Sequence, residues 1–251
     1  MSLRSELDTL VGALRFFTRL PIPGTSGHSG IALEKAIRYF PLAGVIVGGL
    51  AALVFSLGML FWPKTLAVLA AIGAAIYWTG AIHEDGWGDM VDGFGGGWTK
   101  DRILDIMRDS RMGSFGSVAL VMLLLVRFTS LLEIDLALIP AALIAGHALS
   151  RLCATGIMAT MDYVRAEGKA KPFSNRLGTG ELVFAVLTAA VPLAFLPPAQ
   201  LVPAVLFSLI ATLWLARLFK RCIGGYTGDC LGATQQLAEV AFYGGLLCRF
   251  S

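Results

Sequence analysis

Apolar residues run through this chain in blocks far longer than the alternation of a strand or the one-sided stripe of a surface helix. A helix crosses the hydrocarbon core of a bilayer with about 20 mostly apolar residues, and blocks near that length recur. The run 41–62 carries no charge; Pro63 and Lys64 make a tight turn, and 65–82 follows. After a polar stretch, 83–112, apolar sequence resumes over 113–132 and, past a short turn at Glu133 and Asp135, over 136–161. A second polar stretch, 162–180, precedes 182–196, a Pro197–Pro198 turn, and 201–219. The tail segment 237–248 reads either as a short re-entrant helix or as a seventh span. The pattern predicts an all-α, polytopic transmembrane bundle of six or seven spans, with residues 1–251 forming one integral-membrane domain.

Composition agrees with that pattern. The chain is 56% hydrophobic and 15% charged, against roughly a quarter charged in an average soluble protein, and a soluble fold of this size has no core large enough for the excess. Cys153, Cys222, Cys230 and Cys248 are scattered without a CxxC pair and read as reduced thiols. A formal charge of +3 is too small to argue for nucleic acid. The basic residues instead sort the loops. Arg4, Arg15, Arg19, Lys35 and Arg38 precede the first span, Lys100, Arg102, Arg108 and Arg111 occupy the first long loop, and Arg165, Lys169, Lys171 and Arg176 the second. Lys220 and Arg221 open the tail, whereas the opposite turns hold only Lys64. That asymmetry predicts a cytoplasmic N-terminus and cytoplasmic long loops. Arg15 and Arg19 interrupt the most apolar part of the first forty residues, so no cleavable leader is expected. Arg127 and Arg151 fall inside apolar runs, where a charge either snorkels or faces the bundle interior; Arg151, with His147 one turn before it, is assigned to the interior.

The chemistry concentrates in His83-Glu-Asp-Gly-Trp-Gly-Asp-Met-Val-Asp-Gly93. Asp85, Asp89 and Asp92 are spaced i, i+4, i+7 and so share one helix face. Three stacked carboxylates repel unless a cation compensates them, and hard oxygen ligands with room for water suit Mg²⁺. Glu84 points off that face and is the weaker ligand candidate. A solvated acidic loop is the plain alternative, but it does not need helical spacing at a membrane boundary. His83 beside the cluster is either a general base or a structural helix-end residue. Thr99 is the expected N-cap of a following helix, with Ile103, Leu104, Ile106 and Met107 as its packed stripe. The opposite face offers Arg102, Asp105, Arg108, Asp109 and, just beyond, Arg111, where the cations either receive a diphosphate or form a salt-bridge network. A second constellation, Gly224-Gly-Tyr-Thr-Gly-Asp-Cys-Leu-Gly232 followed by Gln235, Gln236 and Glu239, places Thr227 and Asp229 in a glycine-rich turn able to complete a metal or phosphate site. Together these predict a Mg²⁺-dependent phosphoryl-transfer site on the cytoplasmic loops.

Three motifs carry a family resemblance. His83-x-Asp-Gly-x-x-Asp-x-x-Asp-Gly93, Ile106-Met-Arg-Asp-Ser-Arg-x-Gly-Ser-Phe-Gly116 and Gly224-Gly-x-Thr-Gly-Asp-x-x-Gly-Ala-x-Gln-Gln-x-x-Glu239 resemble those of the cobalamin synthase family, the adenosylcobinamide-GDP ribazoletransferases. Phe17-Thr-Arg-Leu-Pro-Ile-Pro23 and Tyr39-Phe-Pro-Leu-Ala-Gly44 resemble its N-terminal signatures, so the likeness spans nearly the whole chain in order. The resemblance implies that adenosylcobinamide-GDP is joined to α-ribazole, or to its 5′-phosphate, with release of GMP, at the cytoplasmic face of a bacterial inner membrane. On that reading Asp85, Asp89 and Asp92 bind Mg²⁺, Asp229 completes the shell or acts as base, and Arg108 and Arg111 hold the diphosphate or the departing GMP. Asp109, Thr227 and Gln235 are further substrate-binding candidates. Other nucleotide-loop assembly enzymes and a second copy of the chain are candidate partners. A phosphotransferase acting on CDP-linked lipids shares the metal logic but calls for an Asp-Gly-x-x-Ala-Arg run, from which Asp85-Gly-Trp-Gly-Asp89 departs. An aspartate-rich prenyltransferase calls for a second aspartate cluster, and a transporter for midplane charges in broken, repeated helices.

Overall fold

A computed structural model of the chain describes residues 3–21, 36–165 and 177–248. Pro23, Lys35, Lys169, Lys171 and Arg176 lie outside the described residues. In chain order the helices are α1 (Leu3–Phe17), α2 (Phe40–Gly58), α3 (Lys64–Thr79), α4 (Ile82–Gly96), α5 (Lys100–Ile106), α6 (Ser114–Glu133), α7 (Ile139–Thr160), α8 (Thr179–Leu193), α9 (Pro198–Ile223) and α10 (Gly228–Leu246). Short 3-10 turns, Ile37–Tyr39 and Leu136–Leu138, lead into α2 and α7. The fold is all-α: among the described residues the only β-type pairing is one bridge between Tyr163 and Tyr226.

Helices α2, α6, α7 and α9, the first and third with their 3-10 lead-ins, are each long and apolar enough to cross a bilayer. Their outward side chains, including Leu53, Leu57, Val118, Val121, Leu125, Leu206, Leu209 and Leu213, are exposed. Such a surface is a liability in water but is satisfied by hydrocarbon, and the chain is a multi-pass helical membrane protein. The apolar run 65–82 is cut at Thr79, and α8 is a shorter apolar helix, Thr179–Leu193. Of the tail segment 237–248, residues 237–246 are the second half of α10, which is 19 residues long, ends at Leu246 and is lined with buried positions over most of its length.

Helix α3 ends in a corner. Gly80 caps it with φ 67° and Ala81 follows at φ 59°, so α4 leaves at 86° to α3. Glycine adopts that conformation without strain; alanine at φ > 0 carries a steric cost. The Arg19 side chain lies directly over Gly80, where a Cβ would stand 2.3 Å from its Nε, and the Arg19 amide donates to the Trp78 carbonyl at 2.6 Å. The polar stretch therefore starts as a helix turned off the direction of the preceding apolar one. Helices α2 and α7 meet through Gly44 and Gly48, spaced as in GxxxG contacts between membrane helices. A Cβ on either would lie 2.3 Å from the His147 carbonyl oxygen or 2.7 Å from the Ile144 Cα. That approach brings His147 and Arg151 into the interior.

Candidate active site

Helix α4 splits its acidic residues between two faces. His83, Glu84 and Asp92 are buried, whereas Asp85 is exposed and Asp89 half-buried. Glycines let α4 approach the start of α10: a Cβ on Gly86 would stand 3.0 Å from the Cα and carbonyl oxygen of Asp229, and one on Gly232 3.2 Å from the carbonyl oxygen of His83. Asp85, Asp89 and Asp229 thereby come to one cleft. At the start of α10, Thr227 is the N-cap; its Oγ1 accepts from the Cys230 amide at 3.3 Å and its hydroxyl donates to Asp229 Oδ2 at 3.5 Å. Arg165 closes the cleft. The Val164 amide donates to the Tyr226 carbonyl and the Tyr226 amide to the Asp162 carbonyl, both at 3.0 Å. This pairing sets the Arg165 guanidinium 2.8 Å from Asp229 Oδ2 and 3.3 Å from the Met107 carbonyl.

The electrostatics of the cleft follow from this crowding. Burial, then the Asp229 and Asp85 carboxylates, push Asp89 up to about 7. Burial also raises Asp229, with Arg165 acting against it. Neither Asp85 nor Asp89 makes a hydrogen bond or ion pair among the described residues, where no three His, Cys, Asp or Glu side chains are grouped to hold an ion by themselves. Two unpartnered carboxylates in a field of negative charge fit Mg²⁺, which is commonly held by one or two carboxylates, substrate phosphates and water.

The other acidic residues of α4 are engaged elsewhere. Both oxygens of Asp92 are taken by α6: Oδ2 accepts from the Gly113 amide at 2.6 Å and Oδ1 from the Gly116 amide at 2.8 Å. Asp92 thus caps α6 from outside. Glu84 turns inward, where its Oε1 lies 3.4 Å from Arg127 Nη1 and accepts from Gln236 Nε2 at 2.9 Å. Arg127, 2% exposed, also lies 3.3 Å from Glu239, which in turn holds His147 at 3.1 Å and accepts from Gln235 at 2.6 Å. This interior network ties α4, α6, α7 and α10 together. The structure therefore parts Glu84 and Asp92 from the pair Asp85 and Asp89, although all four lie on one short helix.

His83 stacks on Phe17 with ring centroids 6.2 Å apart. Burial and then the Arg151 charge push it well below the usual imidazole range. Phe16, Phe17, Phe40, His83, Asp85, Arg151, Asp229 and Gln235 line one cavity of about 130 Å³. Arg108 is exposed, close enough to the Arg165 side to act on the Tyr163 hydroxyl through its charge. Asp109 and Arg111 pair with each other on the surface at 2.6 Å, which holds Asp109 down to about 2. They line a separate open groove with Arg102, Asp105 and Asp92. Thr99 caps α5 as expected, accepting from the Arg102 amide at 3.4 Å, and Ile103, Leu104 and Met107 are buried.

A family model described as cobalamin-5-phosphate synthase matches residues 9–247. The chain belongs to this family. The adenosylcobinamide-GDP ribazoletransferase of Shewanella amazonensis is 44% identical over 99% of the chain and 98% of its own length. That of Ralstonia pickettii is 42% identical over 100% of the chain and 99% of its own length, and that of Shewanella piezotolerans 42% over 96% and 95%. No solved structure matches the chain. The matched span includes every residue of the cleft and of the interior network.

Two features escaped the sequence. Arg165 stood among the loop cations with nothing in spacing to join it to Asp229; only the Tyr163–Tyr226 bridge does so. The pairing of Arg127 with Glu84 and Glu239 was signalled by a charge inside an apolar run, but its partners were not.

Proposed function

We propose that this chain transfers the adenosylcobinamide phosphate group of adenosylcobinamide-GDP to α-ribazole or α-ribazole 5′-phosphate, releasing GMP, a reading supported by relatives named adenosylcobinamide-GDP ribazoletransferase. The observation that carries the reading is the cleft in which Asp85, Asp89, Asp229 and Arg165 meet at the mouth of an aromatic-walled cavity. Phosphoryl transfer asks a protein mainly for positioning and charge neutralisation, and the cleft is built from groups for both. Asp85 and Asp89 would hold Mg²⁺, which when bound neutralises the charge of a diphosphate. Asp92 and Glu84 hold α4 in place instead.

In the reaction, the acceptor's ribose hydroxyl oxygen forms a bond to the cobinamide-side phosphorus. The bond from that phosphorus to the bridging oxygen breaks, and GMP leaves with the electron pair. Asp229 takes the hydroxyl proton; its burial makes it a stronger base than a surface carboxylate. Arg165 fixes the orientation of Asp229 and, with Arg108, offers positive charge to the phosphates. Asp109 and Arg111 pair with each other at a separate groove, and His83 serves as a wall of the cavity. The excess of lysine and arginine in the N-terminal segment and long loops supports a cleft on the cytoplasmic side, and the proposed location is the bacterial inner membrane.

Asp229→Asn tests the base assignment. It is expected to lower kcat about 100-fold to 10,000-fold, with little change in the Mg²⁺ concentration giving half-maximal GMP release. A kcat within a few fold of the unmodified protein removes Asp229 from the role.

A further inference from the structure

Among the described residues Arg151 is a buried cation that makes no direct ion pair, although the charges of Glu239 and Glu84 act on it through space. It is 2% exposed and lies in the middle of α7. Its Nη1 is 3.2 Å from His147 Nδ1 and donates to the His147 carbonyl at 3.0 Å. Its Nε and Nη2 have no hydrogen-bond partner, and it makes no ion pair among the described residues. Arg127 differs, since it is held between Glu84 and Glu239. Leaving a guanidinium buried and half-satisfied is costly, and the chain keeps it beside the cavity that Phe16, Phe17, Phe40, Asp85 and Asp229 also line.

The cavity's contents select an occupant. The cavity has about 130 Å³ of inner space and is partly open at Asp85 and Asp229. A corrinoid cannot enter. Three phenylalanines give aromatic and apolar walls for a base, Asp229 offers an acceptor for a ribose hydroxyl, and Arg151 offers an anion-binding fork. These are the three chemical parts of a phosphorylated aromatic nucleoside. We infer that the cavity is the acceptor site and that Arg151 binds the 5′-phosphate of the acceptor nucleotide, which makes it the residue selecting α-ribazole 5′-phosphate over α-ribazole. The inference rests on the proposed transfer reaction.

The test compares the two acceptors in Arg151→Gln and Arg151→Lys, using the full chain in membranes with adenosylcobinamide-GDP and Mg²⁺. Arg151→Gln is expected to lower kcat/KM for α-ribazole 5′-phosphate about 100-fold, mainly through KM. With α-ribazole it changes by less than about threefold, and the KM for the donor stays put. Arg151→Lys, which keeps the charge and loses the fork, should fall between. Turnover of the unphosphorylated acceptor doubles as the check that the variants fold. Equal losses with both acceptors, no loss with either, or a selective rise in donor KM overturns the assignment. Equilibrium dialysis of labelled α-ribazole 5′-phosphate against the detergent-solubilised protein separates this inference from the reaction beneath it. Binding that Arg151→Gln abolishes, in protein that releases no GMP, supports the site and sinks the reaction. Turnover with binding indifferent to Arg151 does the reverse.

Discussion

Single side chains on α4 divide the labour more finely than their spacing suggests. Asp85 and Asp89 face the cleft without partners, whereas both oxygens of Asp92 are spent on the amides that open α6. Asp89→Asn is therefore expected to raise the Mg²⁺ requirement for GMP release at least tenfold, and Asp92→Asn to leave it unchanged while lowering stability by about 1 kcal/mol, as the loss of a cap does. Magnesium titration of activity beside thermal unfolding reads both; a shifted Mg²⁺ requirement in the Asp92 variant returns that residue to the metal shell. Arg127 belongs to stability. Arg127→Met strands Glu84 and Glu239 in the interior and should cost roughly 3–5 kcal/mol. Adding Glu239→Gln to it should recover part of the loss, measured as the unfolding midpoint in detergent, and no recovery would show that the pair is not energetically coupled.

At the scale of elements, the corner between α3 and α4 sets the direction of the acidic helix. Ala81 occupies the left-handed region there, and Ala81→Gly should stabilise the protein by about 1 kcal/mol. Gly80→Val should destabilise it, because the Arg19 side chain fills the space a Cβ needs. Unchanged unfolding midpoints in both would mean that the corner is not held in this conformation. The apolar helices were legible because apolar length is a local property; the i, i+4, i+7 spacing assigned Asp85, Asp89 and Asp92 to one face, but Asp92 is turned to the amides of α6. The sequence over-extended 65–82, since a run of apolar residues does not register a backbone corner at Gly80. It split the tail at 237, because the buried polar side chains Gln235 and Gln236 look like a loop until Ser150 and Arg127 satisfy them. The Arg165–Asp229 contact was illegible, as it depends on two segments far apart in the chain.

On the scale of the whole molecule, an apolar belt surrounds a bundle that carries its polar chemistry inside and in one cleft. If the cleft lies on the cytoplasmic side, a cysteine placed at exposed Trp98 in a cysteine-free background reacts with a membrane-impermeant maleimide only in inverted vesicles, and one placed at Trp62 only in right-side-out ones. The opposite pattern would invert the topology.

If the cleft of Asp85, Asp89 and Asp229 performs nucleotide-releasing transfer to a ribazole acceptor, GMP and cobalamin followed over time report it in membranes containing the chain, supplied with adenosylcobinamide-GDP, α-ribazole 5′-phosphate and Mg²⁺. GMP and the cobalamin product are expected in equal amounts, with both lost on adding EDTA and in Asp85→Ala. No GMP from folded protein, or GMP that continues undiminished in Asp85→Ala, would contradict that role of the cleft.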